Sequence, residues 1–466
     1  MIVSPHDAVR SLWHGLDLGD AALAALQMSG AEPVLPSSFA VGTAAQVSLA
    51  AAALASVAVG RRRGQGAQEV AIDMREAALE CCGAFSLDGK KPLVWDPIAG
   101  LYPCAGDGPF DWVRLHTNFA HHRDGVLRLL GLPPGPATTR AEVGAALRDW
   151  RAETVEAAAA EAGLVVAALR SFDAWERHPQ HGAVAALPLI EITQIGDAPP
   201  LAWPALAPAA RPLEGLRVLE LTRILAGPVA GRTLAGYGAD VMLVNAPHLP
   251  NIDAIADTSR GKRSALADLR DPVDRAGLAA ALAESHVFLQ SYRPGSLEAF
   301  GFGPADAARL RPGIVCVSLS AYGRAGPWAA RRGFDSLVQT ATGFNDAEAR
   351  AAGSTTPRPL PMQLLDMASA FLLAFGTQAA LLRQQEQGGS WQVQVSLART
   401  ALWLRSLGRV ADGFSAPPPE FSAQMETLAS GFGRLQALRH AAHFSATPAR
   451  HVRPSVPPGT DRLAWT

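Results

Sequence analysis

The residues whose types and spacing could do chemistry fall into two groups in this 466-residue chain. The first is a single acid, Asp366, in the apolar string Leu364-Leu365-Asp366-Met367 at the head of an Ala-rich helix. By itself an Asp at that place reads as a helix cap, since its carboxylate satisfies free backbone N–H groups. The second group lies at the ends of apolar strands: Thr222-Arg223, Ser291-Tyr292-Arg293 and Ser320-Ala321-Tyr322-Gly323. Guanidinium groups and hydroxyls there suit an anionic ligand. His116, His121 and His122 offer a third chemistry, metal binding. Adjacent histidines point apart on a helix, and no HExxH pattern is present, so no metal site is expected. Cys81, Cys82, Cys104 and Cys316 make no CxxC pair and fit reduced core residues.

The elements that must position these groups follow from the hydrophobic pattern. Leu216–Leu221, Asp240–Val244, His286–Leu289 and Ile314–Leu319 are short apolar runs, and helical stretches such as Pro272–Glu284 separate them. Buried strands alternating with helices predict an α/β fold with a doubly wound parallel sheet. Ligands of such sheets bind beyond the carboxyl ends of the strands, where the second group sits. The GxGxxG dinucleotide fingerprint is absent after the first strand, which counts against an NAD enzyme.

Boundaries follow from Gly and Pro. Residues 1–80 read as helix, turn, strand and helix. Residues 81–196 form a small, mostly helical domain, and 197–212 is a Pro- and Ala-rich linker. The sheet domain occupies 213–410, with a tail at 411–466. Hydrophobic content of 48% supports sizeable cores, and a net charge of −1 argues against a nucleic-acid partner. The first residues lack the basic and apolar regions of a secretion signal, so a cytoplasmic protein is expected. Phe39–Gly60 and Leu364–Leu382 approach membrane-span length, but polar residues interrupt both. They are expected as buried helices, with no membrane partner.

An internal comparison links the two ends of the chain. RRRGQGAQEVAIDMREAAL at 61–79 aligns without gaps on QQEQGGSWQVQVSLARTAL at 384–402. The same shift lays the helix after Thr43 over the helix after Asp366. Residues 1–80 are therefore read as a degenerate half-repeat in which Thr43 stands where Asp366 does.

The segment PLEGLRVLELTRILAGPVAGRTLAGYGADVMLV, from Pro212, resembles the opening of class III CoA-transferases. This group includes carnitine and formyl-CoA transferases and α-methylacyl-CoA racemases. Arg260-Gly261-Lys262-Arg263-Ser264, Tyr292-Arg293-Pro294-Gly295, Ser320 to Gly323, Gly333-Phe334-Asp335 and Asp366 follow in the family's order. The resemblance implies a CoA-binding parallel-sheet domain with a mostly helical smaller domain, and a CoA-transferase acting on acyl-CoA and carboxylic acid substrates. It implies coenzyme A as substrate, no tightly bound cofactor, and a homodimer. It makes Asp366 the catalytic nucleophile, ionised at neutral pH like a free Asp. It also implies CoA contacts by Arg223, Lys262, Arg263, Ser291, Tyr292, Arg293 and Tyr322.

Three departures bear on the substrate. Leu243 and Asn245 replace the family's usual Lys and Glu on the second strand, and Ser291 replaces an Asn. A Gly-rich loop that shields the acid in the formyl-CoA branch is missing. Two alternatives stand beside the transferase. A racemase-like isomerase would need a His where Phe334 stands. A non-catalytic partner subunit would act through binding alone.

Overall fold

The computed structural model describes every residue except Met1, Asp107, Pro109, Pro204 and Thr466. Near the N-terminus, strand β1 (Leu26–Ser29) leads through a short link into helix α1 (Val41–Arg62), then strand β2 (Val70–Asp73) and helix α2 (Met74–Cys81). β2 runs parallel to β1, with Ser29 opposite Asp73. Ala, Leu and Val fill α1, and it is buried nearly end to end. Asp73 ends β2 and caps α2 by accepting from the N–H groups of Arg75 and Glu76.

The next segment builds the small domain. Helices 120–129, 140–147, 152–161, 172–176 and 179–185 surround a three-stranded sheet made of 100–103, 112–115 and 166–168. This domain has its own core, centred on Val113, Leu115, Val126, Leu147 and Val155. It is more mixed than the mostly helical domain expected, because 112–115 and 166–168 are too short to reveal a strand period.

The main sheet is built from β3 (Glu191–Gly196), β4 (Arg217–Leu221), β5 (Asp240–Asn245), β6 (Arg263–Leu266), β7 (Val287–Gln290), β8 (Val315–Ser320) and β9 (Ser390–Ser396). Helix α3 (Ala226–Gly236) follows β4, and α4 (Asp335–Ala341) and α5 (Leu364–Gln387) stand between β8 and β9. Helix α6 (Leu397–Ser406) follows β9. The strand order is β6-β5-β4-β7-β8-β9-β3, parallel except for β3. The parallel, doubly wound reading therefore holds. One boundary moves: 191–196, read as the end of the small domain, is the antiparallel edge strand of this sheet. Its Glu, Thr and Gln residues, with Thr193 and Gln194 exposed, suit a half-exposed edge.

The chain order reverses between β4 and β7, with β5 on one side and β7 on the other. That is the switch point at which a crevice opens in such sheets. The tail is not loose. β10 (Ala442–Phe444) pairs with β2, and a hairpin of 425–430 and 433–438 pairs with 85–87. Farther on, Asp461 exchanges backbone and side-chain hydrogen bonds with Ser264 on edge strand β6. Helices α1 and α5 are long and apolar enough to cross a bilayer, yet their apolar windows are 94% and 100% buried in protein. They pack against each other in the centre of the molecule.

Candidate active site

A cavity of about 440 Å³ opens at the carboxyl edge of the sheet, over the switch point. The loops after β4 and β7 form one wall with Arg223, Ser291, Tyr292 and Arg293. Phe334 and Asp366 form the floor, and Phe119, His121 and His122 of the small domain close the opposite side. Ile224 in the first loop has φ of 80°, which a β-branched residue avoids. Such strain is held by surrounding structure and clusters at functional sites. Here it belongs to the turn that carries Arg223 into the cavity.

Asp366 does not cap its own helix. The cap position is Gln363, and no side chain satisfies the helix from there. The free N–H groups of the first turn are met by another acid. Asp335, the first residue of α4, accepts from the Asp366 N–H at 2.9 Å and from the Leu365 N–H. Its other oxygen accepts from Gln339 Nε2 at 2.5 Å. Asp335 is completely buried and Asp366 is 8% exposed. Helix N-terminal donors that could hold an oxyanion are thus already engaged by Asp335.

Burial raises the pKa of Asp366 well above the usual carboxylate value, and the negative charge of Asp335 raises it further. Burial pushes Asp335 upward as well, against its hydrogen bonds and the nearby Arg114. The two acids titrate as a pair. The expectation that Asp366 behaves like a free, fully ionised Asp at neutral pH is corrected here. An apolar site with a like charge beside it favours the protonated acid.

Four of the seven expected CoA contacts line the cavity: Arg223, Ser291, Tyr292 and Arg293. Ser291 Oγ accepts from the Arg223 N–H at 3.4 Å, tying the two loops together. Arg293 is exposed at the rim, with no acid paired to it among the described residues. The other three stand elsewhere. Lys262 is 1% exposed and donates to Glu220 at 2.8 Å and to the Pro228 carbonyl at 2.7 Å. It anchors the β4 end and the first turn of α3 from beneath. Gly231 leaves room for this pair, because a Cβ there would come within 1.8 Å of Glu220 Oε2. Arg263 pairs with Asp240 at 3.1 Å, at the opposite, amino end of β5. Tyr322 is buried against Trp328, with ring centroids 4.9 Å apart. Its burial pushes the phenol up to about 12.

Several cavity residues have roles that the sequence did not assign. Arg332 donates to the Gly163 carbonyl at 2.8 Å and lies 3.3 Å from His122 Nε2. Because a guanidinium only donates, that imidazole nitrogen is the acceptor. Burial, with His121, Arg332 and Arg223 nearby, pushes His122 down to about 3, so it is neutral. His116 stacks on Phe334 at 3.9 Å and supports the floor from behind. Among the described residues, no cluster of three metal-ligating side chains occurs. Leu243 is plain sheet core, but Asn245 faces the cavity. Asn245 is 2% exposed and neither of its amide atoms has a partner. The sequence singled out His121 and His122 only as a metal-binding possibility, and it gave no sign that Arg332 would meet His122.

Residues 213–412 match the family model described as CoA-transferase family III. The chain is 33% identical over 230 residues to "Probable fatty acyl-CoA transferase Rv3272" of Mycobacterium tuberculosis, covering 45% of this chain and 58% of that one. It is 31% identical over 326 residues to an acyl-CoA transferase of Gibberella moniliformis, covering 66% of this chain and 56% of that one. A crystal structure of the M. tuberculosis protein matches over 42% of this chain and 58% of that chain, with a TM-score of 0.39. The chain thus spans a little over half the length of these curated relatives.

Proposed function

We propose that this chain, whose residues 213–412 belong to CoA-transferase family III, moves CoA between carboxylic acids with Asp366 as the covalent nucleophile. The observation that carries the reading is the placement of Asp366. It is the acid on the floor of a cavity built at the sheet's switch point, inside the segment that matches the family.

Once Asp366 has given its proton to solvent, the exchange is balanced without further net proton change. An Asp366 carboxylate oxygen attacks the thioester carbonyl of the donor, the C–S bond breaks, and CoA leaves as thiolate. A mixed anhydride remains. The thiolate attacks the aspartyl carbonyl, the anhydride C–O bond breaks, and the donor acid departs as carboxylate. The acceptor carboxylate then attacks the aspartyl-CoA thioester and displaces the thiolate. Thiolate attack on the acceptor's carbonyl forms the new acyl-CoA and regenerates Asp366. Covalent division of this kind replaces one difficult exchange with easier steps. Phe334, Leu397 and Phe119 restrict water, which would hydrolyse both intermediates.

Asp335 is a positioning residue in this scheme. It fixes the first turn of α5, and its charge keeps Asp366 a strong base and hence a strong nucleophile once ionised. Arg223 and Arg293 serve the CoA phosphates, and the unpaired amide of Asn245 offers both a donor and an acceptor to the nucleotide. Lys262 supports the loop that carries Arg223 and makes no ligand contact.

A racemase-like reading requires two bases across an α-carbon. His122 faces the cavity, but its low basicity makes it a poor partner for abstracting an α-proton. One experiment separates the readings. The protein is incubated with a panel of acyl-CoA esters, trapped with hydroxylamine or borohydride, and mapped by peptide mass. An adduct on the Asp366 peptide is expected. No adduct with any ester, together with unchanged exchange in Asp366→Ala, would overturn the transferase mechanism. Deuterium entry at the α-carbon without acyl transfer would establish the isomerase.

A further inference from the structure

The unit carrying Asp366 has a counterpart at the other end of the chain. α1 begins at Val41 and α5 at Leu364, α2 at Met74 and α6 at Leu397, and β2 ends at Asp73 where β9 ends at Ser396. Every one of these pairs is separated by the same 323 positions that separate Arg62 and Gln385. Agreement extends to conformation. The residue before α1, Ala40, has φ −75° and ψ 62°, and the residue before α5, Gln363, has φ −80° and ψ 63°. Asp73 and Ser396 each cap the helix that follows, and each serves the corresponding N–H groups of Glu76 and Arg399. β1 lies parallel to β2 with Ser29 opposite Asp73, as β8 lies parallel to β9 with Ser320 opposite Ser396.

The agreement reaches the acids. Asp335 Oδ2 accepts from the Asp366 N–H at 2.9 Å, and Glu32 Oε1 accepts from the Thr43 N–H at 2.7 Å. Thr43 and Asp366 are again counterparts. Glu32, raised by burial like Asp335, therefore does the work of Asp335 in the first unit. What that unit lacks is a carboxylate at Thr43 and space around it. A Cβ on Gly42 would come within 2.3 Å of Val34 Cγ2, so the first turn of α1 is packed shut.

The two units also face each other. Arg62 Nε donates to Gln385 Oε1 at 3.0 Å, so a residue touches its own counterpart, as residues near a local two-fold axis do. Nearby, Gln378 Nε2 donates to the Ala52 carbonyl at 3.0 Å. The small domain continues directly from α2 of the first unit and places Phe119, His121 and His122 over Asp366 of the second.

We infer that residues 26–81 are an internal copy of the 315–406 unit that has lost its acid and now acts as the second half of a pseudo-two-fold pair. One chain then builds one complete cavity, with a single nucleophile, and needs no second chain. A homodimer is not required for function in this arrangement.

Two measurements test this without assuming any substrate. Light scattering from nanomolar to micromolar concentration should give the mass of one chain throughout. A doubled mass over that range overturns the inference. Arg62→Cys/Gln385→Cys, with Cys82→Ser to remove a partly accessible thiol, is treated with a short bis-maleimide. Cross-linked product of single-chain mass is expected, and product of two-chain mass overturns the pairing. Failure of every acyl-CoA to react would sink the transferase reading and leave both of these results intact.

Discussion

Residues 26–81 and residues 315–406 place a carboxylate against the first turn of a long buried helix, and only the second surrounds that turn with a cavity. The shared part is what a long apolar helix needs. Its first N–H groups lack intrahelical partners, and burial leaves no water to serve them, so a neighbouring acid must. The unshared part is chemistry. Asp366 adds a second acid next to the first, which stability alone would not select, because like charges in an apolar site repel. The contrast separates the cost of the fold from the cost of the function.

The largest expected effect is on the exchange reaction itself. Asp366→Ala should lower acyl exchange by at least about 10³-fold and abolish trapping. Thr43→Ala, its counterpart, should leave specific activity unchanged. Loss of activity in the Thr43 variant with normal thermal stability would break the comparison.

Next come the supporting acids. Asp335→Asn and Glu32→Gln each leave a backbone donor poorly matched in a buried place, at a cost of about 1–3 kcal/mol. Chemical denaturation should show similar losses for the two variants. Only Asp335→Asn should change catalysis, because removing its charge lowers the pKa of Asp366 and moves the acid limb of the pH–rate profile downward. An unmoved limb would show that Asp335 does not act on Asp366 electrostatically.

The pH dependence of stability has a definite sign. The folded-state pKa of Asp366 is raised above its unfolded value. Its protonated form therefore stabilises the fold fully below the unfolded pKa of about 4. That contribution is lost as pH rises through the folded value. Asp366→Asn, neutral at every pH, escapes the loss. Its melting temperature should match the wild type in acid and exceed it increasingly toward pH 8. A constant difference across that range would show that the acid is not strained in the fold.

The sequence carried the parallel strands because buried runs such as Leu216–Leu221 need no partner to be recognised. The 323-position spacing shared by the two helix–strand–helix segments was legible too, since Gly turns and strand-to-helix junctions recur at it. The sequence did not carry the role of Asp335, whose partner is a backbone N–H 31 residues away. Lys262 was misplaced because its motif looks like a basic loop, while its acid lies on another strand, 42 residues earlier. Arg332 and His122 are 210 residues apart and meet only across the domain seam. Local residues reveal which groups could react; the packing decides which of them share a cavity.

The smallest effect distinguishes the units at their helix caps. Asp73 accepts from two N–H groups of α2 and from Ser29 Oγ at 2.9 Å, whereas Ser396 accepts from the Arg399 N–H at 3.3 Å. Removing either cap should cost about 1 kcal/mol, with Asp73→Ala the more costly because three donors lose their acceptor. The functional consequence should run the other way. Leu397, the residue after the Ser396 cap, lines the cavity beside Asp366, and no residue of α2 does. A frayed first turn in α6 shifts that wall; a frayed α2 shifts only scaffold. Ser396→Ala should therefore raise KM for the acyl-CoA severalfold, with the smaller fall in denaturant midpoint of the two variants. Asp73→Ala should lower the midpoint and leave KM as it was. The same KM change in both variants would mean that the first unit still reaches the site, and the division between scaffold and chemistry would have to be redrawn.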